Sequence, residues 1–360
     1  MSSTSPPQDK PQGRRRYRKT RFLSKTVNWL EKADFEAKIV IAGNHDVTLD
    51  KAFYAEYGSY FHSQTPQSPE ACINLLTSSR SITYLNHSSA TIVMDKHPSL
   101  RIRFTVFGSP YSPKIGTWAF GYDKTGSDHP TETEPDTVSG PSRAEALWSA
   151  IPLNTDIVVT HTPPYTHCDE SVSKRRALGC EDLRRALWRV RPKLAVCGHI
   201  HEGRGAERVI WDVLGTSGAS YTELGVERWE DPGAGQGNNK MSLVDLTSRG
   251  GKRPLDNNDD PIPVTSASAV GSRGQAGAGE DVADGTTKAT ALPGFGTRGV
   301  GGNPNLSVRC DRAALCHRMG RRETCVVNCA IAATNWPHTG GKKFNKPIVV
   351  DLDLPILEDV

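Results

Sequence analysis

The sequence predicts an α/β domain flanked and interrupted by polar stretches, and three observations carry that expectation. Short apolar runs repeatedly end in a histidine-bearing turn, helical apolar spacing appears between them, and one long region is poor in large apolar residues. With 360 residues, 36% hydrophobic content, 33 Gly and 24 Pro, the chain has apolar surface for one substantial core only if that content is unevenly spread.

Residues 1–21 are polar, Pro-containing and basic, with Arg14, Arg15, Arg16, Arg18, Lys19 and Arg21, and are expected to be a disordered tail. Such a run also fits a nucleic-acid tether or nuclear-localisation patch, but a net charge of +4 does not indicate nucleic acid as a general partner. Leu23, Val27 and Leu30 fall at i, i+4 and i+7 and predict a short amphipathic helix. Lys38–Ala42 (KIVIA) then reads as a buried strand ending at Gly43.

Between Ile82 and Gly108 the segments ITYL, ATIVM and RIRFTVFG are rich in β-branched and aromatic residues and predict consecutive strands. A long loop follows, until Ser142 and Glu145 form a capping box for a helix through Leu147 and Trp148. Asp156–His161 (DIVVTH) is a further strand. Leu183, Leu187 and Val190 line a helix that Pro192 stops, and LAVCGHIH again runs from strand into loop.

From about Glu230 to Asn305, Gly, Asp, Asn, Ser and Thr dominate, so this region buries too little surface to offset its ordering entropy. Residues 231–320 are therefore expected to be a disordered insertion, with MSLVDL as a strand candidate inside it. CVVNCAIAATNWP and PIVVDLDLP, within 321–360, look like closing strands of the domain spanning 22–230.

The eight cysteines are scattered, and no apolar run suits a signal peptide or membrane span, which predicts a reducing, intracellular setting, cytoplasmic or nuclear. Cys310, Cys316, His317, Cys325 and Cys329 lack the paired C-x2-C spacing of structural zinc modules.

Three elbows belong together: Gly43-Asn44-His45-Asp46, Thr160-His161-Thr162-Pro163-Pro164 and Gly198-His199-Ile200-His201. In open α/β sheets, functional groups gather beyond the carboxyl ends of strands, so these turns are expected at one edge. Imidazoles and an amide oxygen there suit a borderline divalent metal such as Mn, Fe or Zn. Gly43 and Gly198 are read as positions where the backbone turns sharply and approaches a ligand.

GNHD, VVTHTPP and GHIHEG resemble signature motifs of the calcineurin-like metallophosphoesterase superfamily. KIVIAGNHDVTLD, FGSPYSP, RPKLAVCGHIHEGRG and VNCA with KPIVVDLDLP are similar to its metallophosphoesterase-domain-containing subgroup, especially fungal members. The resemblance implies an α/β/β/α sandwich and hydrolysis of a phosphomonoester or phosphodiester by metal-activated water. It implies that Asn44, His161 and His199 ligate one ion, that His201 ligates a second, and that His45 faces the phosphate with Asp46 orienting it.

The family's opening Asp-x-His and Gly-Asp motifs are missing: only Asp9 and Asp34 precede Asn44, and no histidine precedes His45. The expectation is therefore a sandwich incomplete at its N-terminal edge, from a truncated, mis-spliced or degenerate chain with impaired activity. The alternative is a non-catalytic protein that binds a metal or phosphate.

Overall fold

Helix α1 (Thr20–Lys32) opens the computed structural model, which describes residues 20–97, 100–123, 142–213, 221–231, 240–249, 253–258, 320–334 and 340–357. Val27 is buried and Leu23 and Leu30 pack with it, as their spacing requires. Strand β1 (Ile39–Ile41) precedes helices α2 (Lys51–His62) and α3 (Pro69–Thr77). Asp50 caps α2, accepting from Phe53 N at 3.0 Å, while its second oxygen takes Phe120 N at 2.9 Å. Ser68 caps α3 by accepting from Ala71 N, and Pro69 supplies the first-turn φ. Strand β2 (Thr83–Leu85) then pairs in parallel with β1.

The chain continues through β3 (Ser88–His97), β4 (Leu100–Ser109) and the short pair β5 (Ser112–Pro113) and β6 (Gly121–Tyr122). Helix α4 (Arg143–Ser149) starts where Ser142 accepts from Glu145 N at 3.0 Å. Strand β7 (Ile157–Thr160), a hairpin of β8 (Glu170–Ser171) and β9 (Arg176–Ala177), helix α5 (Glu181–Val190) and strand β10 (Leu194–Cys197) follow. Helix α5 ends on Arg191 in the left-handed region, at φ 48, just before Pro192. Strands β11 (Gly205–Trp211), β12 (Glu223–Trp229), β13 (Ser242–Asp245), β14 (Glu323–Asn328) and β15 (Ile348–Asp351) complete the order.

Among the described residues the main sheet has seven strands in the order β12-β11-β14-β10-β7-β4-β3. Its centre, β14, β10, β7 and β4, is parallel, so four carboxyl ends share one edge. Alternation along these strands separates two cores. Phe107, Val158, Ala195 and Val326 face α4 and α5 around Trp148 and Leu187. On the opposite face, the β1–β2 pair covers Phe104 and Val106, and the β13–β15 pair covers Leu194 and Val327. Helices α1 and α3 cover the outer side of β1–β2. The layers are thus helix, sheet, sheet and helix, and β1 pairs on one side only among the described residues.

Gly108 lets the two sheets meet, because a Cβ there would lie 2.5 Å from Leu85 Cβ and 2.8 Å from Ile41 Cγ2. Strand β14 sits between β10 and β11, so the C-terminal segment supplies a central strand rather than an edge. Within the stretch expected as an insertion, β13 pairs with β15. Asn257, in the same stretch, donates to Arg191 O at 3.0 Å and Glu323 O at 2.6 Å. Residues 1–19 and 259–319, most of the expected tail and insertion, lie outside the described residues, as do Cys310, Cys316 and His317. No helix among the described residues is long and apolar enough to cross a membrane.

Candidate active site

Each elbow lies where the sheet order predicts. His161 follows β7, with its backbone N donating to Ser109 O at the end of β4, and Gly198, after β10, donates to His161 O at 3.2 Å. Asn44 follows β1 and reaches across the sheet interface: His161 Nε2 stands 2.8 Å from Asn44 Oδ1. In the metal-free chain this contact is a hydrogen bond in which Nε2 donates to the amide oxygen, and an ion held by both atoms would require Nε2 to give up that proton to Nδ1. The rings of His161 and His199 are 4.6 Å apart, edge to face.

Gly43 is required for this approach, since a Cβ would stand 2.7 Å from His161 Nδ1. Gly198 differs from the expectation: a Cβ there would meet nothing within 4 Å, and the left-handed residue of the elbow is His199 itself, at φ 63. The sharp turn is therefore made by a histidine held in a conformation that only its surroundings enforce.

Burial lowers the pKa of His161 to about 3, with the neighbouring histidines 199, 45 and 201 adding to the effect. Burial likewise lowers His199 to about 4, helped by His201, His45 and Lys174. Both imidazoles are neutral at physiological pH and so free to act as ligands. His201 lies in the same cluster, and its Nδ1 is buried without a hydrogen-bond partner.

His45 sits at the accessible rim, its ring 4.2 Å from that of Trp118. Loss of hydration lowers its pKa, Asp46 opposes that shift and His201 adds to it. Asp46 influences His45 by charge, while its Oδ2 accepts from Gly43 N at 2.8 Å and closes the turn. Its carboxylate thus shapes the elbow from within.

The structure adds residues that the elbow pattern does not single out. Lys114 and Trp118 line a small recess together with Asn44, Ser112 and His199. Asn328, at the end of β14, donates to Ile200 O within the third elbow. It follows an apolar run just as the three elbows do, so the same strand-then-polar rule could have found it.

Among the described residues no three His, Cys, Asp or Glu side chains surround a common ion position. The donors that converge are two imidazoles and an amide oxygen, the uncharged donor types a borderline divalent ion takes. Asp46, the carboxylate of the first elbow, turns its Oδ2 to Gly43 N at 2.8 Å.

Comparison with known proteins identifies the family. A probable rhamnogalacturonate lyase C of Emericella nidulans is 35% identical over 209 residues, covering 58% of this chain and 16% of that protein. Metallophosphoesterase domain-containing protein 1 of Homo sapiens is 32% identical over 191 residues, covering 51% of this chain and 50% of that protein. A UPF0046 protein of Caenorhabditis elegans is 30% identical over 182 residues, covering 49% of this chain and 41% of that protein. The chain thus spans about half the length of the human relative and far less of the lyase. The model of the calcineurin-like phosphoesterase family matches residues 17–203, which hold all three elbows and just over half of the 360 residues. The chain belongs to the calcineurin-like phosphoesterases, a family that acts on phosphate esters with divalent metal ions.

Proposed function

We propose that this chain hydrolyses a phosphomonoester or phosphodiester at the cluster of Asn44, His161 and His199. The observation that carries the reading is their convergence from three strand ends, with both imidazoles held neutral. A divalent cation, Mn, Fe or Zn by donor type, would when bound there supply Lewis acidity for phosphoryl transfer to water.

The chain's own residues have separable tasks. Asn44, His161 and His199 would hold the ion, and His201, with its unpartnered buried Nδ1, would offer a donor towards a second. His45 lies at the open side, where its imidazole, once protonated from solvent, would donate to the leaving oxygen. Asp46 fixes the turn on which His45 stands by accepting from Gly43 N. Lys114, beside Asn44 and His199 in the recess, and Lys174, within electrostatic reach of His199, offset phosphate charge. We assign residues 22–230 and 321–360 to this one domain, supported by the central place of β14 in the sheet.

A second reading is a binding protein that holds one metal or a phosphate without turnover, favoured by the finding that, among the described residues, no three His, Cys, Asp or Glu side chains surround a common position. Metal content per chain, measured together with Mn-dependent hydrolysis of bis(p-nitrophenyl) phosphate, separates the two. Turnover that is lost in the His161→Ala variant supports the enzyme. Stoichiometric binding without turnover supports the binding protein, and no metal binding at all removes both metal readings.

A further inference from the structure

Asn328 closes β14 and is fully buried. Its Nδ2 donates to Ile200 O at 2.8 Å and to Cys168 O at 2.9 Å, and its Oδ1 accepts from Ala330 N at 3.0 Å. Both amide protons and the amide oxygen are therefore engaged. The two carbonyls belong to different turns. Ile200 lies between His199 and His201, whereas Cys168 lies in the turn that continues from the His161 elbow.

Both turns contain left-handed residues: His199 at φ 63, Thr166 at φ 66 and Cys168 at φ 51. Such conformations persist only where neighbouring contacts over-determine them. The turns also touch, since a Cβ on Gly203 would lie 2.2 Å from Cys168 O. Asn328 pairs in register with Cys197 at the end of β10, so the rigid parallel sheet carries its amide to the level of the GHIH elbow.

We propose that Asn328 is a positioning residue: its side-chain amide ties the His199–His201 elbow to the Thr166–Cys168 turn and thereby sets the directions of the imidazoles. Its effect on ion affinity rests on the metal-centre reading above, whereas its bracing of the two turns does not.

The test uses the full chain carrying Asn328→Asp, which keeps the shape but replaces both donors with an oxygen facing two carbonyls, and Asn328→Ala. Hydrogen–deuterium exchange of the metal-free protein is expected to rise about tenfold or more in peptides covering 164–171 and 198–205, while β7 and α5 keep their protection. Mn affinity by calorimetry is expected to fall about tenfold or more. Unchanged exchange in the two turns, or a uniform rise across the sheet, overturns the proposal. Should neither variant fold, the wild type decides: slow exchange of the Asn328 side-chain amide protons supports the brace, and exchange at the solvent rate refutes it. Wild-type protein that binds no Mn ends the metal reading, while the exchange result still judges the brace.

Discussion

The elbow pair His161 and His199 and the single His167 are close in the fold but differ in charge. At the elbows, His161 and His199 are pressed against each other and burial drives their pKa values down to about 3 and about 4. His167, only six residues beyond His161, is 2% exposed, yet its pKa is raised. Burial alone would lower it, but Glu207 Oε2 stands 3.3 Å from Nδ1 and Glu223 Oε1 stands 3.3 Å from Nε2. Those bonds outweigh desolvation and raise the pKa, favouring the ring protonated on both nitrogens.

The difference lies in where the carboxylates go. Glu207 also accepts from Arg228, and Glu223 takes a fork from Arg184 with contacts of 2.9 and 2.7 Å. Strands β11 and β12, helix α5 and the turn after His161 are joined by this knot. The elbow histidines, lacking such partners, remain neutral donors. Acid groups therefore serve the scaffold, and uncharged nitrogen and oxygen atoms serve the candidate centre.

The largest expected effect separates the two groups outright. His161→Ala or His199→Ala should reduce Mn binding on the order of 100-fold or more while leaving urea unfolding close to wild type, because neither ring balances a buried charge. His167→Ala should do the reverse. It leaves Glu207 and Glu223 without their shared proton donor and should cost about 3–5 kcal/mol in urea unfolding, since one partner of a buried ionic network is removed.

Acidity sharpens the same contrast. His161 and His199 have folded values below the unfolded 6.5, so the unfolded chain takes up protons first. Metal-free stability should fall as pH drops from about 6.5 towards 4, and His161→Gln should flatten that slope. His167 has a raised folded value, so its contribution is complete below the unfolded pKa and is lost as pH rises through the folded one. The stability gap between wild type and His167→Gln should therefore narrow on the alkaline side, as measured by denaturant titration at stepped pH. The smallest effect is a control: Ser142→Ala removes the α4 cap and should cost about 1 kcal/mol, independent of pH and metal.

Much of this arrangement is legible in the sequence because its signals are local. The spacing of Leu23, Val27 and Leu30, the Ser142–Glu145 box, Pro192 after α5 and the three strand–elbow units all lie within a few residues of what they specify. Helices α2 and α3 are less legible, since KAFYAEYGSYFH has weak periodicity, although Asp50 and the Ser68-Pro69 pair were available start signals. Strands β11 and β12 alternate imperfectly, and the place of β11 in the sheet depends on β14, more than a hundred residues away in sequence. The His167 knot has no local signature at all: its partners lie 40 and 56 residues along the chain, and only the fold joins them.

Histidine-selective 15N NMR of the full chain at about pH 6, with and without substoichiometric Mn, tests the central claim most directly. Neutral His161 and His199 with signals broadened by Mn are expected, beside a protonated His167 that Mn leaves unchanged. Protonated elbow histidines, or elbow signals indifferent to Mn, would contradict that claim.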